Sequence, residues 1–132
     1  MARILIRLAV VLWGVSLMGL LAVRLLDGGQ FGNPILGADL YYSSRLGCVG
    51  CHRDGVFGPP MEGVARRVQE IRLPQNPGVS AAQYIAESII DPPRYIVPGY
   101  SGDTMPHYTP STTYFGLTIG ELRDLVAYLM TR

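Results

Sequence analysis

Apolar and polar positions divide the chain into one long uncharged run and several short amphipathic stretches. Leu8 to Val23 is 16 residues without a charge, extended by Ile4 to Ile6 and Leu25-Leu26 across single arginines. A helical rise of about 1.5 Å per residue makes that run about 24 Å long, against roughly 30 Å of bilayer hydrocarbon. Arg7 and Arg24 at its ends can snorkel outward and close the gap. The pattern predicts a single transmembrane helix within residues 1–26. A cleaved secretory signal is the rival reading. However, Ala22-Val23-Arg24-Leu25-Leu26-Asp27 lacks the small-x-small cleavage pattern, which favours an uncleaved anchor. Arg3 and Arg7 put the N-terminus in the cytoplasm and the rest outside, with Arg24 a weaker opposing vote.

Beyond the anchor the period changes to that of short helices. Thr118-Ile119-Gly120-Glu121 reads as a capping box, and Leu122, Leu125, Val126 and Leu129 follow at the spacing of one buried helix face. Ser80-Ala81-Ala82-Gln83 is a second box, opening a helix through about Ile90 that Pro92-Pro93 stops. Shorter helices are expected from about Gly37 to Leu46 and from Ala65 to Ile71. The Gly-rich stretch after Leu26 reads as a linker over residues 27–36, leaving 37–132 as the domain. No strand pair and no repeat stands out. The expectation is an all-α domain of three to five helices with long loops.

Composition narrows the function classes. With 132 residues there is room for one small domain besides the anchor. Eleven basic residues against ten acidic ones exclude a strongly basic nucleic-acid surface. Every basic residue is Arg. Setting aside Arg3, Arg7 and Arg24 leaves eight (11 − 3) against ten acidic residues, so the domain has no basic docking ring.

The chemistry concentrates in Cys48-Val49-Gly50-Cys51-His52, which holds both cysteines of the chain. Two cysteines at this spacing with histidine next are the pattern for covalent attachment of one haem c. Each thiol adds across one porphyrin vinyl group, and His52 is then held beneath the iron. A zinc site would want a second ligand pair, and the only other histidine is His107. A thioredoxin-like pair would want a βαβ pattern, which the flanks do not show.

For the iron's other face the leading candidate is Met105, 53 positions beyond His52 (105 − 52) and followed by Pro106. A thioether ligand favours ferrous iron and raises the potential. His107 is the rival ligand, and an open site the third reading. Met61 reads better as a residue packed against the porphyrin. The carbonyl of Pro59, in Gly58-Pro59-Pro60-Met61, is a candidate acceptor for the far nitrogen of His52, with an ordinary loop proline as the alternative.

At these residues the chain resembles class I monohaem cytochromes c carried on a membrane anchor. The resemblance spans Gly37 to the C-terminus, about three quarters of the chain. Cys48 to His52 matches the attachment motif, and Gly58-Pro59-Pro60-Met61 resembles the Gly-Pro-x-Leu loop with Met61 in place of leucine. Tyr84 to Ile89, Val97-Pro98-Gly99-Tyr100 and Met105-Pro106 are similar to cytochrome domains associated with terminal oxidases. They also resemble the monohaem subunit of alternative complex III. Thr118 to Met130 resembles the C-terminal helix, with Tyr128 at the aromatic position facing the first helix. Two departures stand out: a longer stretch between Tyr41-Tyr42 and Cys48, and an insertion from His107 to Leu117 carrying Tyr108, Tyr114 and Phe115. Those aromatics read equally as a partner contact or as cover for the haem edge.

The resemblance implies a class I cytochrome c fold around one haem, with His52 and Met105 as iron ligands. Pro59, Met61 and Tyr100 join Cys48 and Cys51 as haem-binding residues. It implies single-electron transfer, with no catalytic residue of its own, in a respiratory or photosynthetic complex such as a quinol-oxidising one. Its partners would be other subunits of that complex, a soluble or membrane redox partner and the lipid bilayer. The place would be a bacterial cytoplasmic membrane, with the haem domain on the periplasmic side. The alternative is a free-standing tethered shuttle to an oxidase or reaction centre. A haem peroxidase or gas sensor is the third class.

Overall fold

The structure, a computed structural model, describes residues 32–102, 104–108 and 116–132. These lie in the compact unit Gly32–Arg132. The predicted anchor of residues 1–26 lies outside the described residues, as do Tyr114 and Phe115. Among the described residues no helix is long and apolar enough to cross a membrane. Their secondary structure is helical, with no strand, so the domain is all-α. Its elements are α1 (Pro34–Tyr42), α2 (Cys48–His52), α3 (Val64–Arg67), a π-helical turn (Val68–Arg72), α4 (Leu73–Gln75), α5 (Ala81–Ile90), a 3-10 turn (Pro92–Arg94) and α6 (Ile119–Leu129).

α1 corrects the expected boundaries at both ends. It starts at Pro34, inside the stretch read as linker, because Asn33 caps it. The Asn33 side chain accepts from the backbone N–H of Ile35 at 2.9 Å, and Pro34 sits where its missing N–H costs nothing. It stops at Tyr42 rather than Leu46, since the Ser43 hydroxyl donates to Leu40 O at 2.7 Å and draws the chain out of the helix. The helix expected over Ala65 to Ile71 is longer in the structure. Helical backbone runs through α3, the π turn and α4, absorbing Pro74 in the first turn of α4.

The two capping boxes are reciprocal. Ser80 Oγ accepts from Gln83 N–H at 3.2 Å while Gln83 Oε1 accepts from Ser80 N–H at 2.9 Å. Thr118 and Glu121 repeat this at the start of α6, at 3.1 and 2.8 Å. From there α6 buries Leu125, Val126, Tyr128 and Leu129.

The packing centre is the crossing of α1 on α6. Gly37 makes it possible: a Cβ there would lie 1.9 Å from the carbonyl oxygen of Asp124 and 2.8 Å from Tyr128 Cβ. With no side chain at Gly37 the two backbones approach to contact. One turn on, the rings of Tyr41 and Tyr128 pack tilted at 5.5 Å, and Tyr42 meets Tyr41 edge-on at 5.0 Å. Tyr128 lies against the first helix, the place that the resemblance of Thr118 to Met130 implied for it. At the other end of the crossing, Asp124 Oδ1 accepts from Asn33 N–H at 2.6 Å.

Three side chains tie this crossing to the segment holding Cys48 and Cys51. Tyr41 donates from its hydroxyl to His52 O at 3.3 Å. Arg45 pairs with Glu121 and donates to Gly116 O at 3.0 Å. Tyr108 donates its hydroxyl to the carbonyl of Leu46.

Candidate functional site

α2 begins after Gly47, whose φ of +67° suits glycine, and holds Cys48 and His52 one turn apart. Both cysteines are free and half-buried. Burial pushes the Cys48 thiol up to about 11. A reactive redox pair depends on a lowered thiol pKa, so this thiol is unlike one. Among the described residues no cluster of three or more His, Cys, Asp or Glu is placed to hold a metal ion.

The loop after α2 folds back over His52. Gly58 N–H donates to Cys51 O at 3.1 Å and Met61 N–H to His52 O at 3.2 Å. Gly58 must be glycine for this return, since a Cβ there would lie 2.7 Å from His52 Cε1 and 2.9 Å from Nδ1. The return brings Pro59 O to 2.8 Å from His52 Nδ1. A carbonyl can only accept, so Nδ1 carries the proton, which in a neutral ring leaves the lone pair on Nε2. That is the tautomer a metal-binding imidazole needs, with the partner that fixes its ring.

Cys48, Cys51, His52, Pro59, Met61, Tyr100 and Met105 all line one cavity of about 600 Å³. Such a volume lies in the usual range of roughly 300–1,000 Å³ for cofactor and ligand pockets. Its walls are mainly apolar, with Leu46, Val68, Ile85 and Leu125 among them. Tyr100 anchors its own segment by donating to Gly55 O at 3.0 Å. His107 is exposed and does not line the cavity. Tyr108, from the expected insertion, is buried and lines the cavity. Burial of its hydroxyl raises its pKa.

Reading the sequence missed two cavity arginines. Arg72 ends the π turn, with its guanidinium 4.0 Å from the ring centre of Tyr95 and 5.4 Å from that of Tyr84. Its Nε is buried without a hydrogen-bond partner. Arg67 turns back over the Pro59 loop and donates to the carbonyls of Pro60 and Glu62. No local pattern marks either residue. Arginine among apolar neighbours, as in Glu70-Ile71-Arg72-Leu73, is the one available signal.

Haem c fits the chemistry of these residues. Two thiols and an imidazole line this space, a thioether borders it, and the rest is largely apolar. The unpartnered Nε of Arg72 is a donor suited to a carboxylate, which the porphyrin edge carries. Comparison with protein-family models, with curated proteins and with solved structures found no match for this chain.

Proposed function

We propose that this chain is a membrane-anchored monohaem c-type cytochrome that passes single electrons within a membrane electron-transfer complex. The observation that carries this reading is the pairing of His52 Nδ1 with Pro59 O beside the two thiols of one apolar cavity. Cys48 and Cys51 would add their S–H across the two vinyl groups, closing two thioethers. His52 Nε2 and Met105 would be the iron ligands. Arg72 would pair with a propionate, while Met61, Tyr100 and Tyr108 exclude water. Bound there, haem c supplies a one-electron iron couple, whose potential a thioether ligand raises. The glycine-mediated crossing of α1 on α6, with Tyr128 against Tyr41, supports a class I cytochrome c fold.

The anchor of residues 1–26 would hold the domain on the periplasmic face of a bacterial cytoplasmic membrane. The near balance of charge, 11 basic against 10 acidic, suits a permanently docked subunit better than one recruited by long-range steering. A free-standing tethered shuttle is the alternative. A peroxidase or gas sensor needs distal acid–base groups or an exchangeable site. The exposed His107, outside the cavity, supplies no such group.

The test is expression of the full chain alongside haem-attachment machinery, followed by mild-detergent extraction and a native gel stained for haem. A stained band in a large assembly of fixed stoichiometry supports the subunit. A stained band of the chain alone supports the shuttle, and no covalent haem overturns the proposal.

A further inference from the structure

The loop that carries Pro59 has an uncommon problem. Pro59 and Pro60 are consecutive and neither has a backbone N–H, so this stretch offers acceptors but cannot tie itself down with donors. The backbone anchors on either side are Gly58 N–H on Cys51 O and Met61 N–H on His52 O. The donors that the prolines lack come from one side chain. Arg67, the last residue of α3, reaches back and forks its guanidinium over the loop, Nη2 to Pro60 O and Nη1 to Glu62 O. Between the loop and α3 the chain turns at Gly63, whose φ of +69° suits glycine.

The carbonyls of Pro60 and Glu62 bracket Met61, and the first directly follows the carbonyl that accepts from His52 Nδ1. We propose that Arg67 is a positioning residue for His52: its fork holds the Pro59 carbonyl on the Nδ1 proton. It thereby sets how strongly His52 donates to the iron. This inference rests on the reading of His52 as an iron ligand. A planar five-donor guanidinium can span two carbonyls at once, whereas an ammonium carries the same charge without the fork.

The charge and the fork make opposite predictions, which separates them. A firm Nδ1–H···O bond makes imidazole a stronger donor and favours ferric iron, so loosening it raises the potential. Removing a positive charge near the iron lowers the potential. If Arg67 acted through charge alone, Arg67→Lys would leave the potential unchanged and Arg67→Gln would lower it.

The experiment compares the haem-loaded full chain with Arg67→Lys and Arg67→Gln in detergent. It measures midpoint potential and, by NMR, exchange of the His52 Nδ1 proton with deuterium. Arg67→Lys is expected to shift the potential upward and speed exchange about tenfold, the equivalent of one net hydrogen bond. Arg67→Gln should speed exchange as much, at a potential below that of Arg67→Lys. An Arg67→Lys protein with wild-type potential and wild-type exchange overturns the inference. Should neither variant accumulate, the wild type still decides: separate, slowly averaging Arg67 Nη signals support the fork, and a single averaged signal overturns it. A wild type without covalent haem overturns the functional reading itself, which is a different result from a loaded wild type with an unresponsive Arg67→Lys.

Discussion

The crossing of α1 on α6 and the cavity beside it are built to opposite specifications. At the crossing the two backbones meet directly: Gly37 admits the Asp124 carbonyl, and three tyrosine rings interlock beside it. A few residues away the same core opens into about 600 Å³ of apolar space. The difference separates a part of the domain packed by its own described side chains from a part that borders a cavity of cofactor size. Tyr41 belongs to both, buried at the crossing and donating to His52 O.

Breaking the cavity side is expected to have the largest effect. Replacing Cys48 and Cys51 together by Ala should abolish covalent haem, read as loss of haem stain on a denaturing gel. The same variant should lose its cooperative thermal transition, since the cavity would be left without its filler. Persistent stain would refute the attachment. Next in size, Met105→Ala should retain haem but open the sixth position. Carbon monoxide should then bind the ferrous protein, and the potential should fall. An unchanged spectrum and potential would point to another ligand.

The crossing is tested by contrasting two glycines. Gly37→Val inserts side-chain atoms where a Cβ alone would sit 1.9 Å from Asp124 O, so it should destabilise by at least about 1–3 kcal/mol. Gly50, within α2, has nothing within 4 Å of its Cβ position. Gly50→Ala should therefore be neutral or gain about 0.5–1 kcal/mol from helix preference. Denaturant midpoints of the two variants measure both, and equal midpoints would refute the close approach.

The smallest effect sharpens the edge of the crossing. The Thr118 backbone N–H, followed by the Thr118 hydroxyl and Arg45, holds the Glu121 carboxyl below its ordinary range. A lowered folded-state pKa adds stability that is present above the unfolded value, about 4.3, and is lost as pH falls through the folded value. Glu121→Ala should cost about 1 kcal/mol at pH 7. Its difference from wild type should shrink as pH drops below about 4.3. A pH-independent difference would mean that the charge contributes nothing.

Much of this architecture was legible because its causes are local. Both capping boxes act within four residues, and the Leu122–Leu129 stripe needs only the helical period. The start of α1 was just as local, since Asn33 followed by Pro34 is a helix opening, but the neighbouring glycines masked it as linker. The arginines are a different matter. Arg67 and Arg72 matter through carbonyls and rings that their own helical turns do not contain.

The sequence by itself determined the helical segments, the thiol–thiol–imidazole spacing and Met105-Pro106, because covalent order and backbone propensity act over a few residues. Only the tertiary structure decided that Met105, Tyr100 and Met61 share a cavity with His52, that Tyr108 faces inward, and that Pro59 O meets Nδ1. Those placements depend on how two backbones can cross at Gly37 and how a loop with two consecutive prolines is held down. The first is settled by residues far apart in the chain, Gly37 and Asp124, and the second by a side chain that reaches back beyond its own helical turn.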